Sequence, residues 1–182
     1  LAARWVSEAT HADDLAGDAC VLWCHAIRRA VLDGSMPDLS TLVAELPIAR
    51  REQWGVWIGE AERRPPAAFA PNGYVVPALQ AALSAIRHPA ADGSPVVASL
   101  TAAVHAGDDT DTVAAIAGSL LGAAHGASAL PSEWLADVHG WPGLGADDLR
   151  DLARRVVARG EQDAATHRVA HELHEVAEHL AS

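Results

Sequence analysis

Lysine is absent from the 182-residue sequence, and its thirteen arginines stand against twenty-four acids for a formal net charge of −11. Such a chain repels a phosphate backbone. Its basic residues gather only as the pairs at 28–29, 50–51, 63–64 and 154–155, which excludes nucleic acid as a partner. Cysteine is scarce too. Cys20 and Cys24 stand four apart in CVLWC, a spacing that fits neither a CxxC redox pair nor a zinc knuckle, so both read as reduced, buried thiols. No basic segment followed by an apolar run opens the chain, which removes the argument for export and leaves a cytoplasmic protein as the expectation. No alternating run of β-branched residues reaches strand length, so the expected fold is all-α. An initiator methionine is also missing, and LAARWVSEA begins in mid-helix pattern, as a piece of something longer would.

What is present is mostly helical punctuation. Half of the positions are apolar, enough for one sizeable core in a single domain spanning residues 1–182. Helices are predicted at about 1–9, 15–33, 39–46, 50–63, 74–87, 95–106, 111–126, 132–138, 147–159 and 161–181. Gly34 closes the second, Ser94-Pro95 forms an N-cap with proline in the first turn, and Asp147-Asp148 place negative charge at a helix start. Trp54, Trp57, Ile58 and Ala61 follow the i, i+3, i+4, i+7 rule and are expected in the core. Segments 64–72 and 139–146, rich in proline or glycine, are expected to be flexible. Arginine without lysine, with abundant alanine, also matches the coding bias of GC-rich bacterial genomes.

Histidines give weaker signals. His167, His171, His174 and Glu178 share one face of the last helix at spacings of four, three and four, but an apolar stripe opposes them, so they read as a solvent face. HELHE misses the HExxH spacing by one residue. His25, His105 and His125 sit on or beside buried helices and are expected as core groups rather than catalysts. Ser119 has no GxSxG context. The uncharged run from Thr112 to Leu130 draws its hydropathy from alanine, and its glycines at 118 and 122 favour close helix packing, so a buried central helix is expected and no membrane span.

The most informative stretch is HAGDDTDTVAAIAGSLLGA, residues 105–123, where three carboxylates and two threonines meet an uncharged run of small residues. Gly107 ends one helix, after which Asp109, Asp111 and Thr112 project hard oxygen ligands from the start of the next, suited to Mg²⁺, Mn²⁺ or Ca²⁺. An acid-rich helix start favoured by the macrodipole explains the same residues. Spacing alone favours neither.

The stretch GDDTDTVAAIAGSLLGA resembles the C-terminal signature of the ADP-ribosylglycohydrolase family. THADDLAGDACVLWCHAIRRAVLDG is similar to the family's threonine-histidine loop and following helix, FAPNGYVVPALQAALSAI to its asparagine-glycine-aromatic segment, and GAAHGASALPSEWLADVHG to the stretch after the metal helix. These segments occur in the family's order over about residues 1 to 160. The resemblance implies an all-α fold with a binuclear magnesium or manganese centre, in a cleft where ADP-ribose binds and a glycosidic bond at its anomeric carbon is hydrolysed. It implies metal ligation by Asp109, Asp111 and Thr112. It also implies substrate contacts from His11, Asn72, Gly73, Tyr74, Gly107 and Asp108, with Tyr74 stacking beside the nucleotide and His11 near the ribose or diphosphate. The implied partner is an ADP-ribosylated protein or a small ADP-ribose conjugate.

The sequence departs from the family in one respect. The GDxxG-like segment and the threonine-aspartate-aspartate cluster of the family's N-terminal half, which supply the other metal ligands and an acidic catalytic residue, are not found. A C-terminal portion is therefore expected, inactive until the N-terminal half joins it in cis or in trans, and no catalytic residue is assigned. Two competing readings are an inactive ADP-ribose-binding or regulatory module and a purely structural helical fragment. ADP-ribose affinity without turnover selects the first, and no affinity at all selects the second.

Overall fold

The computed structural model describes residues 2–180, with side chains as far as residue 163. The chain divides into two compact units, Leu1–Leu130 and Pro131–Ser182.

The first unit is a helical assembly. Helices α1 (Ala2–Glu8), α2 (Asp14–Asp33), α3 (Leu39–Leu42), α4 (Ile48–Arg63), α5 (Val75–Arg87), α6 (Pro95–Val104) and α7 (Thr110–His125) follow in order, with 3₁₀ turns at Val43–Glu45, Pro66–Phe69 and Ala127–Ala129. The expected caps are in place. Gly34 adopts a left-handed φ of 62° and closes α2, and the Ser94 hydroxyl accepts the Val97 N–H ahead of Pro95. Segment 64–72, expected to be flexible, contains the Pro66–Phe69 turn and ends on the fully buried Asn72.

Two helices form the centre. α5 packs against α2, α4, α6 and α7, and α7 packs against α2, α5 and α6. Their interior faces are built largely from small residues, among them Ala78, Ala81, Ala82, Ala85 and Ala117, all buried. Small side chains let the axes approach: a Cβ added at Gly118 would lie 3.4 Å from the Leu100 side chain of α6. Around this centre, Trp54, Ile58 and Ala61 of α4 are fully buried as their spacing predicts, and Trp57 meets Trp54 edge to face at 5.0 Å. Among the described residues no helix is long and apolar enough to cross a membrane.

Polar groups tie the helices together. The Trp23 indole N–H of α2 reaches the Ile116 carbonyl and the Ser119 hydroxyl of α7, each at 3.0 Å, which gives Ser119 a packing role. Asp18 of α2 is fully buried and accepts from Arg4 of α1 and from Arg50 and Trp54 of α4. Burial alone would push the Asp18 carboxyl up, but the hydrogen bonds from Arg50, Arg4 and Trp54 outweigh it and hold the carboxyl below its usual range.

Two histidines fall outside the core expected for them. His105 caps the end of α6 and His125 is the last residue of α7, and both are exposed, whereas His25 is half-buried. A helix C-terminus turns its last carbonyls toward water and favours a cationic neighbour, so an imidazole there gains nothing from burial.

The second unit holds α8 (Ser132–Asp137), the two-residue antiparallel strands β1 (His139–Gly140) and β2 (Leu144–Gly145), and α9 (Ala146–Leu180). The segment read as a flexible loop is thus a tight hairpin. α9 runs unbroken through Gly160, where two helices were predicted. A lone interior glycine costs a helix only about 1 kcal/mol, and neither proline nor a capping residue follows to end it. The histidine set at 167, 171 and 174, with Glu178, lies outside the residues whose side chains are described.

Candidate functional site

The acid-rich junction is a sharp reversal between α6 and α7. Gly107 has a φ of 87° and Asp108 a φ of 55°, both in the left-handed region, which glycine enters freely and aspartate more readily than most residues. Asp109 then takes the N-cap position of α7. Its carboxylate makes no capping bond to that helix. The backbone N–H of Asp109 instead donates to Asn72 Oδ1 at 2.9 Å, while Asn72 Nδ2 donates to the Gly107 carbonyl at 3.0 Å. One fully buried amide therefore clamps both ends of the turn.

The turn borders a cavity of about 390 Å³. Asp109, Thr112 and Ile116 line it from the start of α7, Asn72, Gly73, Tyr74, Val75 and Ala78 from the entry to α5, and Ser7, His11, Asp13, Ala16 and Cys20 from α1, α2 and the loop between them. Three segments distant in sequence thus meet at one place. Gly107, Asp108 and Asp111 are exposed and are not among the lining residues. Of the nine residues singled out in the sequence, the cavity gathers His11, Asn72, Gly73, Tyr74, Asp109 and Thr112.

Local bonds set the wall. The His11 N–H donates to the Ser7 carbonyl at 2.9 Å, and its Nδ1 lies 2.8 Å from the Thr10 hydroxyl, which leaves Nε2 to meet a ligand. Asp13 caps α2 by accepting the Leu15 N–H at 2.8 Å through Oδ1, and its Oδ2 accepts the Tyr74 hydroxyl at 2.8 Å. The Tyr74 hydroxyl, followed by the Leu15 N–H, holds the Asp13 carboxyl below its usual range, and the same bond from the other side pushes the Tyr74 phenol up. Asp13 and Cys20 are cavity residues that the sequence reading missed. The signal for Asp13 was its place two residues after His11 at a helix start in THADDLAG, where it reads only as a cap.

The ADP-ribosylglycohydrolase family model matches residues 1–166 of this chain. The chain belongs to the ADP-ribosylglycohydrolase family. An ADP-ribosylarginine hydrolase, Tri1, of Pseudomonas putida (strain GB-1) is 30% identical over 167 residues, covering 89% of this chain and 42% of that relative. The chain therefore spans about two fifths of the relative's length. No solved structure matches.

An ADP-ribosylglycohydrolase cleft with a divalent cation needs hard oxygen donors on its wall. Asp109 and Thr112 meet that requirement, and Asp111 lies one position from Thr112 on the same helix turn. The donor chemistry fits; the number is small. Among the described residues no three of His, Cys, Asp or Glu come together as a metal-binding group.

Proposed function

We propose that this chain forms the ADP-ribose-binding side of a metal-dependent glycohydrolase that cleaves the glycosidic bond at the anomeric ribose carbon. The observation that supports it is the meeting of His11, Asn72, Tyr74, Asp109 and Thr112, drawn from separate family-like segments, on one cavity of about 390 Å³. Modified arginine is the favoured target, in line with the ADP-ribosylarginine hydrolase among its relatives.

In this reading Asp109 and Thr112, with Asp111, would hold Mg²⁺ or Mn²⁺, and His11 would meet the ribose or diphosphate through Nε2. Tyr74 would lie beside the nucleotide, and the apolar wall of Val75, Ala78 and Ile116 would exclude water from its flank. A bound cation would supply charge stabilisation and orient the ribose hydroxyls and the attacking water. No carboxylate on the cavity wall has a claim to be the general acid or base, because Asp13 is committed to Leu15 and Tyr74 and Asp109 to the cation. The acid would come from the N-terminal half of the family.

Calorimetric titration with ADP-ribose, followed by an assay for its release from ADP-ribosylated arginine in Mg²⁺ or Mn²⁺, tests the reading. Binding without release by the 182 residues, and release once an N-terminal half is joined, is the expected result. Binding with no release in either form favours an inactive ADP-ribose-binding module. No binding at all removes the proposal.

A further inference from the structure

We propose that Asp13 is a positioning residue of the cavity: through its bond to the phenolic hydroxyl it fixes Tyr74 as an aromatic wall for the base of a nucleotide ligand. The inference rests on the ADP-ribose reading of the site for the identity of that ligand, and on the structure for the pairing itself.

The carboxylate is held at both oxygens. Oδ1 accepts the Leu15 N–H at 2.8 Å, which prevents the group from turning, and Oδ2 is then left facing the Tyr74 hydroxyl at 2.8 Å. The two residues are 61 positions apart and occupy equivalent places, each the N-cap of its helix, Asp13 for α2 and Tyr74 for α5. Both line the cavity. Tyr74 makes no capping bond with its side chain and is 48% exposed, so packing alone does not settle its rotamer. A hydrogen bond from a phenol to a carboxylate is among the stronger ones available at an exposed site. It anchors the ring at its edge.

Energetics give the arrangement a purpose. A half-exposed tyrosine loses rotational freedom when a base stacks on it, and that loss weakens binding unless the ring is already ordered. Asp13 orders it before the ligand arrives. The same carboxylate also repels a phosphate brought close to it, which favours the base end of a nucleotide at Tyr74.

The test separates the pairing from the ligand. Tyr74 is the single tyrosine of the chain, so phenolate absorbance against pH reports on it alone. It is expected to titrate above free tyrosine in the wild type and to move toward free tyrosine in Asp13→Asn, a variant that keeps a competent N-cap. A free-tyrosine titration in the wild type overturns the pairing, whatever the cavity binds. Calorimetry with AMP and with ribose 5-phosphate, which has no base, then reads the ligand. Asp13→Asn and Tyr74→Phe are each expected to weaken AMP binding about 3- to 10-fold, the double variant no further than the singles, and ribose 5-phosphate binding is expected to be unchanged. Equal losses for both ligands, or losses that multiply in the double variant, overturn the positioning role. Failure of the wild type to bind AMP, ribose 5-phosphate or ADP-ribose defeats the ADP-ribose reading and the role in base binding together, while the titration still judges the pairing.

Discussion

Asn72 and Asp109 are joined across 37 positions by the hydrogen bond from the Asp109 N–H to Asn72 Oδ1, and this bond decides where the junction carboxylate points. The other half of the Asn72 amide holds the Gly107 carbonyl, so the residue replaces the partners that a tight turn denies its own backbone. The acids and the small-residue helix belong together for that reason. The helix packs against the core, and the buried amide fixes its N-cap residue at the cavity edge.

Asn72→Ala removes both bonds from a fully buried position. The expected loss is about 1–3 kcal/mol, since a desolvated donor or acceptor left unpaired costs about that much. At roughly 2–4 °C per kcal/mol for a chain of this size, thermal melting resolves it. ADP-ribose affinity should fall as well, because Asp109 is no longer delivered. Unchanged melting would show that the turn holds itself.

Two glycine substitutions should move stability in opposite directions. A Cβ at Gly107 meets nothing within 4 Å, so Gly107→Ala reports only its φ of +87°, and left-handed backbone costs a β-carbon about 1–2 kcal/mol. Gly122 lies inside α7 with equally open space, so Gly122→Ala should stabilise by about 0.5–1 kcal/mol through helix propensity. Urea denaturation of the two variants measures both signs.

Asp18 makes stability depend on acid. Its folded pKa is depressed, burial being outweighed by the hydrogen bonds from Arg50, Arg4 and Trp54. The folded state therefore binds this proton less readily than the unfolded chain. The stabilisation is complete above the ordinary carboxylate range and is lost as pH falls through the depressed value. Asp18→Asn should lose about 3 kcal/mol at neutral pH, the low end for breaking a buried pair, because Arg4 and Arg50 still reach water. Its denaturation midpoint should also vary less between neutral and acidic buffer than the wild type's does. Parallel pH curves for the two proteins would contradict the assignment.

How much of this the sequence disclosed depends on the range of the signal. Caps such as Ser94 and Gly34 act on neighbours within four residues, and the Trp54, Ile58, Ala61 stripe is set by one helix's own period, so both could be read directly. Asp13 and Asp18 could not. Each lies in THADDLAGDAC as one more acid near a helix start, and what distinguishes them is a partner supplied by tertiary packing, Tyr74 for one and Arg50 for the other. The unbroken α9 shows the converse limit, where a local breaker at Gly160 is too weak to override its surroundings. Among Asp108, Asp109 and Asp111 the motif marked all three alike, and the α7 N-terminus turns only Asp109 onto the cavity wall.

That difference sets the last prediction. A hard divalent cation takes about six oxygen ligands, and this chain offers two side chains on the cavity wall, Asp109 and Thr112, with Asp111 exposed beside them. Mn²⁺ should therefore bind the 182 residues weakly, and Asp109→Ala should abolish that binding, while Asp111→Ala reduces it only in part until further ligands from an N-terminal half draw its carboxylate inward. Release of ADP-ribose should be absent from the 182 residues. Loss of general acid-base help alone costs roughly 10² to 10⁴ in rate, and of the cavity carboxylates Asp13 is bonded to Leu15 and Tyr74 while Asp109 is the one proposed to hold the cation. Manganese titration followed by water-proton relaxation, with a release assay on the joined protein, reads both steps. Tight Mn²⁺ binding that survives Asp109→Ala would place the cation elsewhere. Release by the 182 residues that is lost in Asp13→Asn would make Asp13 the acid and end its reading as a group committed to Tyr74.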